Sequence, residues 1–201
     1  YKSWIPLICV VVTLIVNGLS SVKGLLGPYT IGEVSDAHPT PITPSSYTFA
    51  IWGAIYAGLI ASCFLFGLYP QRHPLISMSY FVLSCILNMV WIVLFIQGTY
   101  VSVCASGLVL LGLVLSLAAV VLGLSPEARG GGSITIGTTM HVYFAWTIIA
   151  LILNILTIVM WSNSIWMYDD SITTWTIITI VSITVMMLCI MFALDTGKTK
   201  W

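Results

Sequence analysis

The chain has 201 residues, 59% of them hydrophobic and 6% charged, with a formal net charge of zero and a mean hydropathy of +1.09. Soluble domains carry roughly 25% charged residues, so this composition excludes a water-solvated surface and describes an all-α, polytopic membrane helix bundle. Its six basic residues are scattered, which argues against nucleic acid as a partner, since that requires a clustered cationic face.

Six apolar runs come close to the roughly 20 residues that cross a bilayer as a helix. The first is Trp4 to about Ser21. Lys2 ahead of a short apolar run also fits a signal peptide, but no small-x-small cleavage site follows, so a span is expected. A connection of roughly 25 residues, Val22 to Ser46, comes next with Pro28, Pro39, Pro41 and Pro44. It is longer than a mere link requires, and such loops are often functional. The second span is Tyr47–Leu68, the third Leu75–Ile96, the fourth Tyr100–Leu124, the fifth Ile134–Trp161 and the sixth Ile172–Leu194. Only Gln97, Gly98 and Thr99 separate the third from the fourth, which predicts a tight hairpin.

Six spans place both termini on one side together with Lys2, Arg72, Arg129, Lys198 and Lys200, and leave only Lys23 on the other. The positive-inside rule then puts the termini on the cytoplasmic side, or its equivalent in an organelle such as a mitochondrion or plastid, and the long first loop opposite. The five cysteines (Cys9, Cys63, Cys85, Cys104, Cys189) lie within apolar runs without CxxC spacing and read as small buried residues. Gly53, Ala57 and Ala61, Gly112 with Ser116, and Ala119 with Gly123 form small-residue stripes, which predict helix packing seams.

Three aromatic stripes stand out. Phe49, Trp52 and Tyr56 share one face of the second span, and Asn88, Trp91 and Phe95 share one face of the third. In the fifth, Tyr143, Trp146, Ala150 and Asn154 follow at i, i+3, i+7 and i+11. An unpaired amide in hydrocarbon is costly, so Asn88 and Asn154 should point inward, either as interhelical hydrogen-bonding groups or as ligand contacts. His38 and His141 are candidates for an axial haem ligand, against the ordinary reading of each as a solvated interfacial histidine. No HExxH, paired-carboxylate or Cys/His arrangement offers a metal or hydrolytic site. No span carries an ionisable side chain at mid-depth, which argues against an ion-coupled transporter.

These motifs resemble those of the TspO, or translocator protein (tryptophan-rich sensory protein, TspO/MBR), family in its longer branch. The second-helix pattern is carried by Thr43-Pro44, Phe49, Trp52 and Tyr56, preceded by TIGEVSD from Thr30 to Asp36. The third-helix LN-x-x-W-x-x-x-F pattern is Leu87, Asn88, Trp91 and Phe95, and the fifth-helix pattern is Tyr143, Trp146, Ala150, Leu153 and Asn154. The chain departs from the family at Val142, where a proline is usual, and keeps Tyr29 alone of the first-loop aromatics. The resemblance implies a TspO-like five-helix domain over residues 1–161, with its long loop at 22–46, and an acidic loop plus an additional C-terminal transmembrane helix over 162–201. It implies a pocket opening towards the first loop and lined by Trp52, Tyr56, Asn88, Trp91, Tyr143, Trp146, Ala150 and Asn154. Such a pocket suits a porphyrin or haem, a chlorophyll-like pigment, a sterol or another flat lipophilic molecule, with no cofactor required. The implied function is a non-enzymatic receptor or carrier in contact with membrane lipids. The alternative is a structural or accessory subunit of a larger membrane complex; as partners, the resemblance allows a homodimer or incorporation in such a complex. A porphyrin-degrading enzyme ranks last, because no catalytic acid or base is identifiable.

Overall fold

A computed structural model of the chain describes residues 4–40, 42, 46–68, 75–124 and 134–162, and the regular structure among them is entirely helical. The elements are α1 (Ile5–Ser20), α2 (Ile31–Ala37), a 3-10 turn (Ser46–Ala50), α3 (Ile51–Leu68), α4 (Leu75–Phe95), α5 (Tyr100–Leu122) and α6 (Ile134–Ser162). The first five expected spans each correspond to a helix, although the second opens as the 3-10 turn. The sixth span, and the cations Lys2, Arg72, Arg129, Lys198 and Lys200, lie outside the described residues. Windows in α4, α5 and α6 (Met78–Phe95, Tyr100–Leu122 and Ile136–Trp161) are long and apolar enough to cross a membrane, while Ile5–Ser20 and Thr48–Phe64 are shorter apolar helices.

The five long helices close into a ring. Helix α1 packs on α3 and α4, α4 on α5, α5 on α6, and α6 back on α3. The buried core at the centre of this ring draws on all five, from Val10 through Trp52, Trp91 and Leu113 to Tyr143. Ser62, Ser84, Ser106 and Thr147 are fully buried, and each donates its hydroxyl to a carbonyl of its own helix. That back-bonding lets a hydroxyl sit in an apolar interior at little cost.

Local sequence sets the joints. Pro6 stands in the first turn of α1, where its missing N–H is harmless. Thr99 and Ser102 form a reciprocal capping box that starts α5, and Gly98 at φ +61° reverses the chain between α4 and α5. A side chain at Gly58 would meet Thr139 Oγ1 at 2.5 Å, so Gly58 is the small residue that lets α3 approach α6. The stripe read as a seam on α3 is placed differently. Gly53 and Ala57 are exposed, and a Cβ on Gly53 would meet nothing within 4 Å.

The first loop is built rather than loose. Thr30 Oγ1 accepts from the Glu33 amide at 3.2 Å and Glu33 Oε2 accepts from the Thr30 amide at 2.9 Å, a capping box that starts the short helix α2. Lys23 pairs with Glu33 at 2.7 Å. Val34 is buried on α2 against Phe95 and Val103, beside Ile158 and Trp161. The Tyr29 amide donates to Ile96 O and Gln97 Nε2 donates to Leu26 O. Together these seat the loop on the end of the ring where α4 turns into α5.

Candidate functional site

Beneath that loop, three helices bring their rings together around Trp52. Its indole stacks on Tyr56 at 5.6 Å, lies 6.2 Å from Trp91, and meets Tyr143 and Trp146 edge to face at 6.1 and 6.3 Å. Phe49 from the 3-10 turn stands edge-on to Trp146, and Phe95 packs beside Trp91. These separations and tilts are those at which ring quadrupoles attract. The sequence stripes on α3, α4 and α6 therefore converge on one another.

The eight residues expected to line a pocket divide into two layers. Trp52, Trp91, Trp146, Ala150 and Asn154 border a cavity of about 40 Å³, which also touches Ile31 and Ser35 of α2, Phe49, Phe95, Leu153 and Thr157. The remaining three, Tyr56, Asn88 and Tyr143, are absent from that lining. They form a buried polar knot around Asn88, which is fully buried. Asn17 Nδ2 on α1 donates to Asn88 Oδ1 at 3.1 Å, with the Tyr56 hydroxyl at 3.5 Å from the same oxygen, and Asn88 Nδ2 donates to the Tyr143 hydroxyl at 3.2 Å. Four helices are thus tied at one amide, and the groups that make the knot satisfy one another.

Asn154 bridges to α5. Its Nδ2 donates to Ser106 Oγ at 2.8 Å. Its Oδ1 has no partner and lies against Gly107, where a Cβ would approach it to 2.8 Å. Two buried donors also stand unpartnered among the described residues, the indole N–H groups of Trp91 and Trp146. Both indoles border the cavity and are at least nine-tenths buried, at 5% and 6% exposure. An unpaired buried N–H forgoes a hydrogen bond that water would otherwise supply.

The loop residues of the cavity were not anticipated. The signal was present in the sequence as Thr30-x-x-Glu33 ahead of Val34, the pattern of a capping box before an apolar helix face. Thr157 falls three residues after Asn154 and so belongs to the same stripe. Its hydroxyl donates to Leu153 O at 2.9 Å.

The two histidines lie elsewhere. His38 ends α2 and stacks on Trp161 with ring centroids 3.6 Å apart. Burial there lowers its pKa below the ordinary 6.5. His141 Nδ1 sits 2.6 Å from Gly137 O, which places the proton on Nδ1. Neither borders the cavity, and among the described residues no group of three His, Cys, Asp or Glu side chains gathers at metal-binding range. Cys9, Cys63, Cys85 and Cys104 are free thiols. Pairing with Glu33 raises the Lys23 pKa, and Lys23 in turn lowers that of Glu33.

Comparison with curated proteins and with solved structures gave no match. The sequence profile of the TSPO-like protein family matches residues 3–198, nearly the whole chain and including the stretch of the sixth span. With three helices able to cross a bilayer and this match, the chain is an integral membrane helix bundle and belongs to the TSPO-like protein family.

Proposed function

We propose that the protein is a non-enzymatic membrane receptor or carrier that takes a tetrapyrrole, or another flat lipophilic molecule such as a sterol, between Trp52, Trp91 and Trp146. The observation that carries this reading is the convergence of three indoles from three helices on one cavity beneath a docked loop. A cavity of about 40 Å³ holds only two or three waters, so a planar ligand is admitted by displacing Ile31 and Ser35 of α2 and Phe49. The proposed orientation keeps the termini on the cytoplasmic-equivalent side and this loop on the other. Titration of the purified protein with protoporphyrin should quench tryptophan fluorescence, and Trp91→Phe with Trp146→Phe should weaken the response. Unchanged fluorescence in the parent and both variants refutes the receptor.

A second reading, an accessory subunit of a larger membrane complex or a homodimer, draws on the exposed Gly53 and Ala57 on α3, because small residues let membrane helices approach closely. Stable co-migration with other proteins in mild detergent, without porphyrin quenching, selects it.

A further inference from the structure

The outer surface of the ring is uneven. Helices α1, α4 and α5 turn large aliphatic side chains outward, Ile8, Ile86 and Leu108 among them. On α3 the exposed positions are instead Gly53, Ala54 and Ala57, with Phe64 following only towards the far end. Small residues on a membrane helix serve the close approach of another backbone, yet among the described residues a Cβ at Gly53 would meet nothing within 4 Å. This bare face borders the seam between α3 and α6. Gly58, the next residue round the helix from Ala57, is the one that meets Thr139, and the neighbours of Thr139 on α6, Thr138 and Val142, are themselves exposed.

Chain connectivity points to what covers it. Helix α6 ends at Ser162 beside the loop, where Trp161 touches His38, and the sixth apolar run begins at Ile172. The nine residues between them reach at most about 30 Å, and consecutive elements settle beside one another. A span leaving Ser162 is thus placed against a flank of α6, whose neighbours in the ring are α3 and α5. Helix α5 turns Leu108 and Leu115 outward, as a lipid-facing helix does, and only α3 offers a thin surface. Within the sixth run, Thr173, Thr176 and Thr179 recur every third residue and share one side of a helix, with Ile178 and Val181 on the other. We propose that the sixth span packs along the outside of the α3–α6 seam, its threonine side against Gly53, Ala54 and Ala57, so that the chain covers this face itself. The proposal is independent of the ligand and takes over the face on which the accessory-subunit reading draws. Threonine suits such a contact, since its hydroxyl can bond back to its own helix and its short side chain admits a neighbouring backbone. The span runs antiparallel to α6 and parallel to α3, and its first turns fall level with Gly53 and Ala57, because α3 begins beneath the loop at which α6 ends. It then backs the wall that carries Trp52, whose helix has only a short apolar stretch, Thr48–Phe64.

The test uses the full chain in proteoliposomes, with cysteine pairs oxidised by copper phenanthroline. Ala57→Cys is combined in turn with Thr173→Cys, Thr176→Cys and Thr179→Cys, and with Ile178→Cys and Val181→Cys as controls. Leu115→Cys with the same threonine variants controls for α5, and the parent and Ala57→Cys alone are blanks for the five natural cysteines. Cα atoms more than about 7 Å apart are not bridged without backbone movement. At least one threonine position should therefore give about five-fold or more crosslinked monomer than the controls, read as a disulfide-linked pair of tryptic peptides. Product at dimer mass puts a second copy on this face and overturns the proposal. No crosslink from Ala57→Cys leaves the face to lipid or to a separate protein and overturns it as well, as do threonine variants that react equally with Leu115→Cys. Crosslinks that favour Ile178→Cys or Val181→Cys overturn the orientation of the span. Ala57→Leu gives a readout without a new thiol: overpacking against the sixth span should lower the Tm by about 4 °C or more. Val101→Leu on α5, at 76% exposure, should stay within about 2 °C of the parent. An Ala57→Leu variant as stable as Val101→Leu shows the face uncovered and overturns the proposal.

Discussion

Removing the Asn88 amide tests whether that residue holds helices or holds ligand. In Asn88→Ala, Asn17 Nδ2 keeps its bond to Thr13 O at 3.0 Å, but the Tyr56 and Tyr143 hydroxyls lose the partner they share. Two bonds of 3.1 and 3.2 Å and one long contact of 3.5 Å disappear. Interhelical hydrogen bonds in membrane proteins average about 0.6 kcal/mol and reach about 1.7, so the three together contribute roughly 2–3 kcal/mol. The volume lost from a site at 0% exposure adds about 1 kcal/mol. A total of about 3–4 kcal/mol corresponds to a Tm lowered by roughly 6–16 °C for a chain of this size, measured by intrinsic fluorescence in detergent. Tyr143→Phe keeps the ring and removes one bond, so about 1 kcal/mol is expected. Because both changes break the same contact, the double variant should be less destabilised than the sum of the two. Ligand binding in Asn88→Ala should stay within a few-fold of the parent at a temperature where the variant is folded. A variant with unchanged Tm that loses binding refutes the argument and returns Asn88 to the pocket lining.

Three further outcomes follow from the joints. Gly58→Val should lower the Tm by driving a side chain into Thr139, with about 1–3 kcal/mol of overpacking, and Thr139→Ala should restore part of it; no rescue in the double variant counts against this contact. Gly98→Ala combines a left-handed φ of +61° with a Cβ 2.5 Å from the Tyr29 ring, so it should cost about 1–2 kcal/mol from the backbone alone and loosen the loop first, as faster amide exchange at Tyr29. His38 has its pKa lowered by burial, so the docked state favours the neutral ring. This contribution to docking is fully present above about pH 6.5 and weakens as the pH falls below it, which should appear as lower protection factors across α2 at pH 5.5 than at 7.5, once exchange is corrected for its intrinsic pH dependence. His38→Gln should remove that difference, and persistence of it assigns the effect to another group.

The helices were legible because membrane spans leave a coarse signal: runs of apolar residues bounded by turns, the first five of which match helices within a few residues. The convergence of Trp52, Trp91 and Trp146 was legible for a related reason, since a stripe with rings and an amide has no use on a lipid face. Two things were hidden. The division between lining and knot depends on depth along the helix axis, and sequence spacing gives the face but not the depth. Tyr56 and Tyr143 share faces with Trp52 and Trp146, yet lie one turn further from the loop and find Asn88 instead. Neither does spacing tell which small residues are buried. Gly53 and Gly58 are alike in composition, and only the crossing of α3 with α6 decides that Gly58 is in contact and Gly53 is bare.

Helix α6 has 29 residues and rises about 43 Å, against a hydrocarbon core of about 30 Å. It must tilt or emerge, whereas α1, with 16 residues, rises about 24 Å and is too short to reach both faces unaided. At the loop end of α6, Trp161 touches both His38 and Tyr100. Tryptophan and tyrosine are enriched at headgroup depth, and that is the level this contact would give α2 in a bilayer. Under the receptor function proposed above, a ligand admitted past Ile31, Ser35 and Phe49 would arrive from the bilayer by lateral diffusion, without a passage through water.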